Sequence, residues 1–97
     1  MIFAGLWDIW FDPDGGELHS CTIATVTASQ QLAKLHNRMP VILPKTTYEK
    51  WLITEEKRAV SLLDYLVPYD SGDIEFYPVS KEVNKADWND RRAIEPV

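Results

Sequence analysis

Ile2-Phe3-Ala4-Gly5-Leu6-Trp7-Asp8-Ile9-Trp10-Phe11 runs directly into Asp12-Pro13-Asp14-Gly15-Gly16, and these two stretches decide the fold. The first alternates Phe3, Gly5, Trp7, Ile9 and Phe11 on one face with Ala4, Leu6, Asp8 and Trp10 on the other, the period-two pattern of a strand. Both faces are largely apolar, so the strand is expected in the middle of a sheet with cover on both sides. The second stretch is a turn, because proline presets φ, aspartate tolerates turn geometry and the glycines accept positive φ. A hairpin is therefore predicted, with Leu18 to Thr27 as the returning strand, rich in β-branched Thr22, Ile23, Thr25, Val26 and Thr27. So many hydroxyls on one strand point to a face that looks into a polar cleft.

Beyond the hairpin the pattern turns helical in short pieces. Ser29 is placed to cap a helix through Gln30 to His36, where Leu32, Leu35 and His36 cluster by i+3 and i+4 spacing. Met39 to Pro44 is extended and bracketed by prolines, which predicts an edge or isolated segment. Thr46-Thr47-Tyr48-Glu49 fits a capping box, and Tyr48, Trp51 and Leu52 are expected to share a helical face. Ala59, Leu62, Leu63 and Leu66 lie at i, i+3, i+4 and i+7, the stripe of an amphipathic helix over Glu55 to Leu66 that Pro68 ends. Asp70 to Asp73 reads as loop, Ile74 to Ser80 as a strand interrupted by Pro78, and Ile94 to Val97 as a short closing strand or tail. The expected architecture is α+β, a mixed and mainly antiparallel curved sheet approaching a barrel, with short flanking helices. Ninety-seven residues without repeats or linkers predict a single domain over 1–97.

Hydrophobic residues make up 45% and charged residues 26%, a globular balance rather than a disordered one. Four Trp, four Tyr and three Phe are many for this length, and each ring needs a core or an interface to cover it. A single cysteine, Cys21, excludes an intramolecular disulfide and predicts a reducing compartment, with the thiol read as a small buried hydrophobe. No basic leader precedes an apolar run and no segment approaches a membrane span, so a soluble, unprocessed, cytoplasmic chain is expected. The formal charge of −5 argues against a generic nucleic-acid binder, since such binding neutralises phosphates with Lys and Arg. Residues 31 to 50 are different: Lys34, Arg38, Lys45 and Lys50 stand against Glu49 alone, with His36 among them. A local basic face is compatible with the acidic total.

Few side chains suggest chemistry by type. His36 suits proton transfer near neutral pH, although a lone histidine in a short helix is more often a half-buried polar residue. His19 and Cys21, two apart on a strand, lack the C-x-x-C or H-x-x-x-H spacing of a zinc site, so no metal is expected. Gly15-Gly16 opens no helix and is no phosphate loop. Trp7, Trp10, Trp51 and Trp88 offer stacking surfaces for bases, with core packing as the commoner use of such residues.

Five stretches together are more specific. Phe3 to Trp10, Ser20 to Thr25, Leu35-His36-Asn37-Arg38-Met39-Pro40-Val41-Ile42-Leu43, Tyr48 to Leu52, and Tyr77 to Ser80 with Val83-Asn84 resemble, in order and spacing, the C-terminal half of the SRAP family, the SOS response-associated peptidases. The resemblance covers about half of that family's domain, whose full length is near the common single-domain size. It implies a sensor of abasic sites in single-stranded DNA. In the family a cysteine after the initiator methionine, exposed by self-cleavage, forms a thiazolidine with the ring-opened sugar, giving cysteine autopeptidase and lyase-like activities. An asparagine and a glutamate of the N-terminal half assist, and a histidine acts as acid–base near the sugar. His36 matches that histidine. Arg38 matches a position contacting the DNA backbone, Thr25 a strand hydroxyl in the same cleft, and Asn37 lies between them as a further DNA-binding candidate. Position 2 is Ile2 rather than cysteine. The resemblance therefore implies abasic-site single-stranded DNA as partner, with an N-terminal complementing chain or self-association completing the cleft, and no cofactor. The alternatives are a non-catalytic DNA-binding half-domain and a remnant whose matching residues are structural.

Overall fold

The Asp12–Gly16 turn forms as its residues dictate. Gly15 takes φ +90°, its N–H donates to the Asp12 carbonyl at 2.9 Å, and the Asp12 N–H donates to Gly16 O at 2.8 Å. The Asp12 carboxylate accepts the Asp14 N–H at 2.7 Å. In the computed structural model, which describes residues 1–97, this turn joins β1 (Gly5–Phe11) to β2 (Glu17–Ile23) in an antiparallel ribbon. The register sets Trp7 opposite Cys21 and Phe11 opposite Glu17.

The returning strand changes partners at Ala24. Its second part, β3 (Thr25–Thr27), leaves β1 and pairs antiparallel with β4 (Arg38–Pro40), Thr25 opposite Pro40 and Thr27 opposite Arg38. At the junction three segments share a closed ring of backbone hydrogen bonds. Ala4 N–H donates to Val41 O at 2.8 Å, Val41 N–H to Ala24 O at 2.9 Å, and Ala24 N–H to Ala4 O at 2.9 Å. Phe3 then bridges Ile42, and Leu43 N–H donates to Ile2 O at 2.9 Å. The α+β class is as expected. The pairing is antiparallel throughout, and the sheet consists of two two-stranded pieces that do not close into a barrel.

The core sits on this junction. Ala4, Val41 and Leu43 are buried, with Tyr48, Trp51, Tyr65 and Leu66 among the side chains packed against them, while Met39 and Ile42 are buried alongside. Residues 39 to 43, expected at an edge because of the flanking prolines, are instead the most buried run of the chain. Pro40 lies within this run and Pro44 follows it, and the N–H groups of Val41 and Leu43 donate to Ala24 and Ile2, so the bonds that hold the run come from residues other than proline. The reverse correction applies to β1. It pairs with β2 alone and leaves Trp7 75% exposed, with Trp10 and Phe11 also exposed. A radius of gyration of 17.1 Å, against about 13 Å for a compact chain of this size, expresses the same openness.

The helical pieces are shorter or tighter than their periodicity suggests. Ser29 does begin the segment after β3, its carbonyl accepting from Ala33 at 2.8 Å and its hydroxyl from Leu32 at 3.4 Å. Only one 3-10 turn, Leu32–Lys34, follows. The helix α1 (Tyr48–Ile53) has no side-chain cap, because the Thr47 hydroxyl donates backwards to Pro44 O at 2.8 Å. Tyr48 and Trp51 face the core, and the Trp51 indole N–H donates to Gly5 O at 3.0 Å. Leu52, expected on the same face, is 81% exposed. Glu56–Tyr65 is a 3-10 helix rather than an α-helix. Three residues per turn replace the 3.6-residue stripe, so Tyr65 and Leu66 reach the core while Leu63 is exposed. Ile74 to Ser80 is no strand; only Val79 bridges Pro96, and Pro78 offers its carbonyl to Val97. No helix is long and apolar enough to cross a membrane.

The C-terminal turn Arg91–Ile94 is held by Asp90, whose carboxylate accepts the Arg92 N–H and, bidentately, the Arg92 guanidinium at 2.9–3.0 Å. Those bonds hold the Asp90 carboxyl below the usual aspartate range. A depressed folded value means the interaction is complete above the unfolded aspartate range and is lost as pH falls through the folded value. An NMR acid titration should therefore place the Asp90 midpoint below that of an unpaired aspartate, and Arg92→Ala should raise it part of the way, since the backbone N–H at position 92 still bonds the carboxylate. For the core, Leu43→Ala should lower the unfolding free energy in urea by about 2–5 kcal/mol, whereas Leu52→Ala should stay within about 0.5 kcal/mol.

Candidate functional site

Alternation along β3 and β4 separates core from site. Val26 and Met39 form one facing pair, Val26 packed against the core and Met39 buried. Thr25, Thr27 and Arg38 therefore lie on the opposite face, which is exposed. The hydroxyl-rich face expected from the sequence is this one. The Ala28 N–H donates to Asn37 O at 3.0 Å and continues the ladder one step past the strands. Beneath it the Ser29 N–H contacts the buried Met39 sulfur at 3.3 Å. Together they fix the loop that carries His36 and Asn37.

Arg38 organises what remains. Its Nη2 donates to the Thr25 carbonyl at 2.9 Å and to the Thr25 hydroxyl at 3.1 Å. Thr25 and Arg38 are diagonal neighbours on one face, the spacing at which a long side chain reaches across strands. The backbone N–H of Arg38 donates to His36 Nδ1 at 3.0 Å. His36 is anchored from the other side, its own N–H donating to Leu32 O at 3.1 Å. Three of the four residues singled out from the sequence thus meet through Arg38. Asn37 joins by its backbone carbonyl, and its side chain makes no hydrogen bond and is exposed.

The four basic side chains of residues 31 to 50 are without ion-pair partners. Lys34, Arg38, Lys45 and Lys50 take part in none of the ion pairs, which fall at Glu17–His19, Glu55–Lys57, Glu82–Lys85, Asp90–Arg92 and Arg91–Glu95. The guanidinium of Arg38 spends only Nη2 on the protein, leaving Nε and Nη1 donors for an anion. His19 is occupied by Glu17 at 3.0 Å.

Cys21 is a correction. Expected as a buried small hydrophobe, it is exposed, because the β1–β2 ribbon that carries it has cover on neither face. Its neighbourhood is an apolar groove of about 430 Å³ between that ribbon and α1, walled by Phe3, Leu6, Trp7, Ile23, Tyr48 and Trp51. The aromatic excess in the composition signalled such a surface; its position depends on how the ribbon meets α1 and was not readable from periodicity.

Comparison with known proteins bears on the family and the fold. The family described as SOS response associated peptidase (SRAP) matches residues 1–86. The chain is 39% identical over 95 residues to the abasic site processing protein YoqW of Bacillus subtilis, covering 98% of this chain and 42% of that protein. It is 40% identical over 86 residues to the abasic site processing protein HMCES of Gallus gallus, covering 87% of this chain and 25% of that one. A crystal structure of a protein from Bacteroides thetaiotaomicron superposes with a TM-score of 0.77 at 26% identity, covering 98% of this chain and 42% of that chain. The chain thus spans less than half the length of these relatives. With its sequence matched over most of its length and its fold shared, the chain belongs to the SOS response-associated peptidase family.

Proposed function

We propose that residues 1–97 form one unit that supplies a wall of a cleft for abasic sites in single-stranded DNA, with Arg38 on the phosphate backbone and His36 beside the opened sugar. The observation that carries this reading is the single Arg38-centred cluster, exposed and without a carboxylate partner, in a chain whose relatives are named for abasic site processing. An abasic sugar exchanges between a cyclic hemiacetal and an open aldehyde. Either form presents oxygens that accept hydrogen bonds, next to phosphates that accept from a guanidinium. Thr25 holds the guanidinium in place, and Asn37 offers an unspent amide at the same mouth. No metal or organic cofactor enters this reading.

The covalent step expected of the family uses a cysteine of the N-terminal half of the domain, and this chain matches less than half the length of its relatives. In this reading the nucleophile comes from a polypeptide that supplies the rest of an SRAP domain. The apolar groove beside β1 is where that polypeptide docks, since it gathers exposed Leu6, Trp7 and Ile23 into one surface. Exposed patches of this kind mark an interface. The setting is the cytoplasm of a bacterial or phage-infected cell, where such DNA is formed.

Anisotropy with an abasic-site single-stranded oligonucleotide tests the wall. Arg38→Ala should weaken binding about five- to tenfold and reduce the salt slope by about 0.7, the loss of one phosphate contact on a single strand. Unchanged affinity and slope for Arg38→Ala would leave the cluster as structure only. A denaturing gel tests the nucleophile: the chain alone should give no heat-stable adduct, and adding a polypeptide that supplies the rest of an SRAP domain should restore one. A heat-stable adduct from the chain alone would overturn the assignment and direct attention to Cys21.

A further inference from the structure

We infer that neutral His36 is held as its Nε2–H tautomer, so that it presents a hydrogen-bond donor to the sugar. The backbone N–H of Arg38 is the positioning group. A backbone amide can only donate, and it donates to His36 Nδ1 at 3.0 Å. Nδ1 must then carry its lone pair rather than a proton, and in a neutral ring the proton resides on Nε2. Nε2 has no partner within the protein, and the side chain is exposed. The ring cannot turn over without losing this bond, because a carbon would replace Nδ1 opposite the amide.

The geometry restricts what His36 does. To accept a proton at Nε2 the neutral ring would have to be the other tautomer, whose Nδ1–H would face the Arg38 N–H. A neutral Nε2–H instead polarises an oxygen without transferring its proton, the role of an electrophilic imidazole. On an abasic sugar the acceptor is the ring oxygen or the aldehyde oxygen, both within the class of ligand proposed above. The assignment of an acceptor in DNA rests on that functional reading; the tautomer itself does not.

The deciding measurement is long-range ¹H–¹⁵N NMR of the imidazole in the wild-type protein, at a pH where the ring is neutral. Nδ1 should resonate as an unprotonated nitrogen and Nε2 as a protonated one. A protonated Nδ1, or averaged shifts showing both tautomers, would overturn the inference. Two variants then test the donor in anisotropy with the abasic-site oligonucleotide. His36→Gln places an amide donor near the Nε2 position and should stay within about threefold of wild type. His36→Asn keeps an acceptor for the Arg38 N–H, should melt at the wild-type temperature, and should bind at least about fivefold more weakly. Equal binding by Gln, Asn and wild type would overturn the donor role. Arg38→Ala separates the two failures: if it still weakens binding while the histidine variants do not, the DNA cleft stands and only the role of His36 falls.

Discussion

Everything else in the structure depends on the ring of three backbone hydrogen bonds joining Ala4, Val41 and Ala24. Each residue gives its N–H to one neighbour and takes another's on its carbonyl, so three segments distant in sequence are tied at one point with no polar backbone group left over. Packing this tight requires small or compact side chains, and two of the three are alanines. Ala4 and Val41 are fully buried there. Because the ring consumes both groups of Ala24, the returning strand must leave β1 at that residue, and β3 is thereby delivered to β4. The change of partner creates the site: β3 and β4 hold Thr25 and Arg38 on one face while Val26 and Met39 close the core on the other.

Local chemistry was legible in the sequence wherever it was decided locally. Asp12 to Gly16 encode their turn through residue types that permit few other conformations, and the β-branched run from Thr22 to Thr27 encodes extended chain. Partner choice was not legible. Nothing in Ala24 marks it as the point of exchange, and the prolines around Val41 argue for an edge when read alone. The answer lies in which N–H groups are used, since Val41 and Leu43 donate to different segments. The helical stripe from Ala59 to Leu66 misled for a related reason: periodicity records which residues are apolar, while the contact with the core selected Tyr65 and Leu66 and the backbone took a tighter winding.

The candidate residues were named from the sequence, and their geometry was not. Charge counting isolated residues 31 to 50, and the order of motifs pointed to His36, Asn37, Arg38 and Thr25. That Arg38 would bind both Thr25 and His36 follows from strand register and from an amide two residues beyond the histidine, neither of which spacing alone specifies. The hydrophobic surplus was legible as a surplus. It emerges as the groove beside β1, where Trp7 and Leu6 stand outside the core that their alternation seemed to promise.

The site is therefore only as rigid as the core behind it. Met39 is buried and sits between Arg38 and Pro40, while its sulfur accepts the Ser29 N–H that starts the loop to His36. A shift of Met39 moves Arg38 by one bond and the His36 loop through Ser29. Both the guanidinium clamp and the histidine tautomer depend on the Arg38 backbone, so they respond together. This gives the small core a second use. With so few buried side chains the chain gains little stability from packing, yet Met39, one of them, sits on the strand that carries Arg38. The β1–β2 ribbon carries none of Thr25, His36 and Arg38, and it leaves Trp7, Trp10 and Phe11 exposed.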